Sequence, residues 1–303
     1  MSVSTRSSVP TAEPTSLGVP IVDMHSHVIA DDPVRFPLAP MGGKQSDWSR
    51  ERPVNAIGMC QAMDAAGVAR SVLVQASTCY GHDNGYVVES VRAHPDRFIG
   101  VFSVDTLAAD AIARIQHWTE SGLSGLRVFI AGHTAADHSA RLDDPRGFPV
   151  WDYISEQKIT ICVQLRADGL PQLETLLRQF PKATVLLDHF ARPLLEDGPP
   201  YRQAASLLNL ARYPNLHFKL TTHNVREAKQ GLATQASFCR TVVNAFGAQR
   251  IAWGSNFPAS AGSLQQLLHE ALEATASLTA DEQAWIYSRT AHSLYPALNR
   301  VSA

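Results

Sequence analysis

Two histidines one residue apart, in Asp23-Met24-His25-Ser26-His27, carry the plainest chemical signal in this chain. Alternate residues of an extended segment project to one side, so a strand ending here brings both imidazoles to one place. Such a pair can ligate a divalent metal, polarise a carbonyl or move a proton near neutral pH. An H-x-H pair on an ordinary surface does none of this, so its meaning depends on the element that ends there. Other polar groups close apolar runs in the same way: Arg127 in "GLRVF", Gln164 in "ITICVQL", His189 in "TVLLDHFARP" and Asn256 in "RIAWGSNFP". A polar loop, "STCYGHDNGY", adds Tyr80, His82, Asp83 and Asn84, the kind of loop that binds substrate on a rigid scaffold.

The elements that must position these groups follow from hydrophobic periodicity. Strand-like runs occur at 21–25, 71–76, 98–104, 125–130, 159–165, 184–189, 216–221 and 250–255. Amphipathic stretches lie between them: Leu173, Leu176, Leu177 and Phe180 fall at helical spacing, as do Ala204, Leu207, Leu208 and Ala211. Eight apolar strands separated by crossovers predict a parallel sheet covered by helices, and eight close most economically into a single α/β domain, a (β/α)8 barrel of the TIM type. Two further helical stretches follow the last strand, the second opened by a Thr279/Glu282 capping box. A doubly wound nucleotide-binding sheet is disfavoured, because no G-x-G-x-x-G turn follows the first strand. In such a barrel the active site lies at the C-terminal ends of the strands, where the groups above are found.

With "VDMHSH", "MDAAGVARSVLVQ", "HPDRFIGVFSVD", "GLRVF", "LLDHFARP", "RIAWGSNFP" and "AHSLYP" in this order, the chain after residue 20 resembles the amidohydrolase superfamily. The likeness is to its amidohydrolase-2 branch of lactone hydrolases and non-oxidative decarboxylases. That resemblance implies that His25 and His27 bind a metal or polarise a carbonyl, and that His189 polarises or exchanges a proton. It implies a carboxylate clamp at Arg127, whose planar guanidinium suits a bidentate anion; the alternative is an arginine paired with a structural acid inside the barrel. Two departures matter. Gln164 stands where metal-dependent members have a histidine, and Asn256 stands where they have the aspartate that takes a proton from water. An amide cannot act as that base.

The sequence reading is therefore a hydrolase of the ring ester of a small carboxylated lactone, with His25, His27, His189 and Asn256 catalytic and Arg127, Gln164, Tyr80, His82 and Arg192 binding substrate. Lactone isomerisation, decarboxylation of an unsaturated or aromatic acid, and a non-catalytic binding barrel are the alternatives. No cofactor is expected to be required, and zinc, if held by His25 and His27, is expected to be held weakly. Lys219 and His223 are further candidates, Asp188 is expected to point into the opposite layer by strand alternation, and the insertion at 35–54 is expected to form a lid or collar.

Composition bounds the partners. A formal charge of −2 gives no basic footprint for nucleic acid or an anionic membrane, so a small molecule is the expected partner. Four cysteines without a C-x-x-C pair suggest free thiols in a cytoplasmic protein. Residues 1–20, rich in Ser, Thr and Pro, read as a flexible leader before a barrel domain at 21–303. A homo-oligomer is compatible with all of this.

Overall fold

Short runs of Val, Ile and Leu form eight strands: β1 (Ile21–Ser26), β2 (Val68–Val74), β3 (Phe98–Ser103), β4 (Gly125–Phe129), β5 (Thr160–Gln164), β6 (Val185–Leu187), β7 (Leu216–Thr221) and β8 (Ile251–Gly254). The structure is a computed structural model, and its described residues are 17–130 and 141–299. Most of the expected leader, residues 1–16, lies outside the described residues. All eight strands join one parallel sheet in chain order. Each returns through a crossover that covers the outer face, as a parallel pair requires.

The sheet closes on itself above β8. Asn256 N donates to His25 O at 2.7 Å, and His27 N donates to Phe257 O at 2.9 Å. Below this seam the Asp23 carboxylate accepts from Ser255 N at 2.9 Å and from Ser255 Oγ at 2.5 Å. A buried acid thus laces the first strand to the end of the last.

Inside the barrel Val22, Met24, Val72, Val101, Cys162, Leu186 and Ala252 form one apolar cluster. Its floor comes from the chain's end, where Leu294, Tyr295 and Leu298 join the same cluster and Tyr295 Oη lies 3.3 Å from Cys162 Sγ. The outer layer buries Leu173, Leu176 and Leu177 of the helix Leu170–Gln179, the expected face. The stretch around Ala204 and Leu207 buries those two residues and leaves Leu208 and Ala211 partly buried, and it does so as short turns, Arg202–Ala204, Ala205–Leu208 and Asn209–Arg212. After β8 come the helix Leu264–Ala274 and a second helical stretch at 280–294 that passes through a π turn, Trp285–Arg289. Thr279 and Glu282 form the expected capping box. No helix among the described residues is long and apolar enough to cross a membrane.

Candidate active site

The placement of the two strand-1 histidines depends on a break in register. Asp23 pairs with Ser71 but Ser26 pairs with Leu73, so three steps along β1 oppose two along β2. Val22 and Met24 already face the barrel interior. Strict alternation from Met24 would send His25 and His27 to the outer layer; the extra residue turns them inward, as β-bulges beside active sites do. Their rings then meet edge to face with centroids 5.0 Å apart.

Across the closing seam, Gly254 makes room for this arrangement. A Cβ at position 254 would lie 2.6 Å from His25 Cβ and 3.1 Å from His25 N. Gly254→Ala is therefore expected to cost about 1–3 kcal/mol in overpacking and to displace His25. Urea midpoints would check this; an alanine variant as stable as the parent would show that the seam yields without cost.

The end of β6 breaks alternation a second time. After Leu187 the backbone enters a left-handed turn, with φ of 55° at His189, 51° at Phe190, 58° at Ala191 and 51° at Arg192. Side-chain-bearing residues visit this region at a cost, so the turn needs support. It receives Asn224 Nδ2 on His189 O at 2.8 Å and the Phe190 ring stacked on Phe218 at 4.8 Å. The result corrects the expectation for Asp188, which does not point to the outer layer. Leu186 faces the interior, so Asp188 does as well, and the left-handed turn brings His189 to the same side.

Asp188 sits at the centre of a fully buried cluster. Lys219 Nζ lies 2.9 Å from its Oδ1, His25 Nδ1 lies 3.4 Å from the same oxygen, and Arg127 Nη2 lies 3.7 Å from Oδ2. Burial alone would raise the carboxyl, but Lys219, His25 and Arg127 together hold it well below the usual range. The imidazoles respond oppositely. Burial, then Lys219, brings His25 down to about 4, and burial, then His25, holds His27 and His189 well below the ordinary value.

A proton-stability linkage follows. The unfolded chain protonates these histidines near pH 6.5 while the folded chain resists, so their share of stability is complete above pH 6.5 and falls with pH. For His25 alone, with its folded value at about 4, the loss between pH 6.5 and 4 is roughly 3 kcal/mol. His27 and His189 add in the same direction, whereas Asp23, pushed up by burial, opposes. Urea midpoints at pH 7, 5.5 and 4.5 are expected to fall in that order; a flat series would contradict the burial of the three rings.

The tautomers can be read from the partners. His27 Nδ1 lies 2.7 Å from Val74 O, an acceptor only, so Nδ1 carries the proton and Nε2 keeps the lone pair. His189 Nδ1 lies 2.7 Å from Thr221 Oγ1, whose own hydrogen goes to Asn224 Oδ1 at 3.2 Å. His189 Nε2 is therefore also an acceptor. Both histidines line a cavity of about 260 Å³ at the strand ends, together with Arg127, Gln164, Arg192, His223 and Asn256. His25 lies beneath it, its Nε2 buried without a hydrogen-bond partner.

Arg127 is 3 % exposed and much of its guanidinium is already engaged. Nη1 donates to Gln75 O at 2.7 Å, Nη2 contacts Gln164 Oε1, and Phe129 lies under the plane at 4.8 Å. Arg127 thus lines the cavity and also faces the buried acid Asp188. Asn256 has φ of 57°, a conformation that Asn and Asp tolerate better than most residues. Its Nδ2 reaches Ser260 Oγ at 3.1 Å and His223 Nε2 at 3.3 Å, so Oδ1 is the end it can offer to a hydroxyl. Arg192 stands at the rim, paired with Glu227 at 2.7 Å.

Two expected binding residues lie elsewhere. Tyr80 Oη accepts from Ala30 N at 2.9 Å within a small apolar cluster, and His82 Nδ1 contacts Ser103 Oγ at 2.9 Å; neither is in the cavity wall. Asn84 braces a strand end, bonded to the Ser103 backbone on both sides, whereas Ser77 and Thr78 at the start of the same loop do line the cavity. The insertion at 35–54 does supply a wall: Ser46 and Trp48 line the cavity, and Trp48 stacks on His27 with centroids 5.3 Å apart. Lys219 is the group that sequence reasoning undervalued. A lysine inside the apolar strand "LHFKLT" was the available signal.

One group among the described residues has the donors for a metal: ligating atoms of His25, Asp188 and His189 all lie within 4.8 Å of one another. The set differs from the expected His25 and His27, since His27 is not part of it and a carboxylate is. As it stands it fits a divalent ion poorly. Asp188 Oδ1 and His25 Nδ1 already face the Lys219 ammonium at 2.9 and 3.2 Å, and Arg127 adds a second cation nearby. Metal ligands must offer unoccupied lone pairs.

Against known proteins, the sequence pattern of the family described as Amidohydrolase matches residues 22–297. An L-fucono-1,5-lactonase from Burkholderia ambifaria is 27% identical over 206 residues, 64% of this chain and 67% of the relative. A 2-pyrone-4,6-dicarboxylate hydrolase from Comamonas testosteroni is 26% identical over 253 residues, 78% of this chain and 76% of the relative. An amidohydrolase structure from Burkholderia multivorans with bound zinc superposes with a TM-score of 0.72 at 20% identity, covering 92% of this chain and 99% of that one. At that identity the superposition speaks for the fold.

Proposed function

The chain belongs to the amidohydrolase family, and from that premise we propose that it opens the ring ester of a small lactone carrying a carboxylate. The observation that carries this reading is the pair of buried imidazoles, His27 and His189, which line the cavity that also holds Arg127 and whose Nδ1 contacts leave Nε2 as the acceptor. The matched relatives named above are lactone hydrolases. A cavity of about 260 Å³ lies below the range of drug-sized sites and suits a single small ring.

In this reading a water attacks the lactone carbonyl carbon and gives its proton to an imidazole Nε2, with His189 the first candidate and His27 the second. The ring C–O bond then breaks, and the departing oxygen takes the proton back, leaving a hydroxy acid. Gln164 directs its Oε1 to Arg127, so its Nε2 is the end that donates to the developing oxyanion. Arg127 binds the substrate carboxylate with the face not used internally, and Arg192 closes the rim. The chemistry is assigned to these side chains without a tightly held metal, and the four free cysteines accord with a cytoplasmic setting.

Isomerisation is the second reading, and Asn256 is the observation that favours it. An amide oxygen can align a hydroxyl of the substrate against its own lactone carbonyl without supplying a strong base.

Turnover by chelator-treated protein on lactones with and without a carboxylate tests the proposal. Arg127→Ala is expected to raise KM at least about tenfold for the acid, and Arg127→Lys to restore only part of the loss, because one ammonium cannot reproduce a bidentate fork. Equal rates on a free acid and its methyl ester, in the parent and both variants, would make Arg127 purely structural. Binding of such lactones without any turnover would leave a ligand-binding barrel.

A further inference from the structure

The Lys219 side chain is 0 % exposed and its ammonium has three close polar neighbours: Asp188 Oδ1 at 2.9 Å, His25 Nδ1 at 3.2 Å and Cys162 Sγ at 3.5 Å. The His25 and Cys162 contacts are hydrogen bonds and the Asp188 contact is an ion pair, so the buried ammonium has its charge balanced and two of its three donors placed. The neighbours come from β1, β5 and the residue that follows β6, and the lysine itself from β7, so one nitrogen joins four neighbourhoods of the barrel. Two of its neighbours, Asp188 and His25, also belong to the one metal-competent group among the described residues.

We propose that the Lys219 ammonium is the resident cation of this barrel, standing where a divalent metal would otherwise bind between Asp188 and His25, and that it thereby excludes such an ion. A covalently tethered charge balances the buried carboxylate, as a metal would, while offering no open coordination position for water. Where Lys219 donates to His25 Nδ1, the His25 proton sits on Nε2, the buried atom without a hydrogen-bond partner. Lys219 is thus a positioning residue acting through His25 and Asp188. Metal affinity is read without substrate, so this inference stands or falls independently of the lactone reading.

Equilibrium dialysis of chelator-treated protein against Zn(II), with Co(II) absorption as a spectroscopic check, decides the matter. The parent is expected to take up far less than one equivalent. Lys219→Met and Lys219→Gln, which vacate the charge, are expected to bind one equivalent at least about tenfold more tightly, with Co(II) bands absent in Lys219→Met/Asp188→Asn. Either single variant removes the nearer of the two cations facing buried Asp188, so zinc is also expected to raise their melting temperatures while leaving the parent's unchanged. One tight equivalent of zinc in the parent, lost when His25 or Asp188 is changed, would overturn the proposal. So would single variants that neither bind zinc better than the parent nor recover their fold when it is present.

Discussion

His189→Asn is expected to lower kcat/KM on the best lactone substrate by about 10²–10⁴-fold, the usual worth of a positioned proton acceptor, with little loss of stability. The choice of Asn separates chemistry from architecture. Position 189 has φ of 55°, which Asn adopts readily, and the Asn amide can keep a polar contact toward Thr221 in place of Nδ1. What it cannot do is accept and return a proton at the place of Nε2. The pH profile gives the second readout. Burial holds the His27 and His189 rings well below the ordinary value. A base works deprotonated, so the parent should keep kcat/KM down through pH 6.5 and lose it only as pH falls through the depressed values. In the variant, the part of that acid limb due to His189 should vanish. A fall of less than about tenfold with an unchanged limb would move the proton acceptor to another group, His27 first.

Asn256→Asp is expected to be the most informative single exchange, because it restores a carboxylate at the end of β8. Asp tolerates the left-handed conformation of this position, so the backbone need not change. It would stand beside His223 Nε2 and Ser260 Oγ, at 3.3 and 3.1 Å from the present amide nitrogen. If the parent hydrolyses its lactone with an imidazole as base, the added carboxylate should leave the rate unchanged or raise it, by up to about 10²-fold. The parent's product formed in ¹⁸O-labelled water should then carry label in the new carboxylate. If the parent instead transposes the ring ester through a substrate hydroxyl, its product should carry no label, and Asn256→Asp should divert turnover toward a labelled open-chain acid. Unlabelled isomer from both proteins would exclude water from the site altogether and remove the hydrolase reading.

Much of the fold is legible in the sequence because each strand is a local signal. β7 was read with its observed ends at 216–221, and the apolar runs at 98–104 and 125–130 overrun β3 and β4 by a single residue. The helix face at Leu173, Leu176 and Leu177 and the cap at Thr279 are equally local, set by residues three or four apart. The strand ends also announce which side chains could gather, since barrel topology carries His27, Arg127, Gln164, His189 and Asn256 to one end whatever their separation in the chain. The polar loop at 80–84 misleads because composition does not distinguish groups that bind a ligand from groups that satisfy neighbouring backbone.

Strand number and order, the family, and the residue types at the strand ends can be read without coordinates, because they depend on local periodicity and motif order. The direction in which those residues face depends on the assembled barrel. The bulge between Asp23 and Ser26 turns His25 and His27 inward, the left-handed turn at 189–192 brings Asp188 and His189 to the same side, and both depend on contacts with other strands. The pairing of Lys219 with Asp188, His25 and Cys162 was likewise beyond any local pattern. It joins residues scattered from 25 to 219 whose meeting is fixed by closure of the barrel, and a buried charge is stable only where that closure supplies its partners.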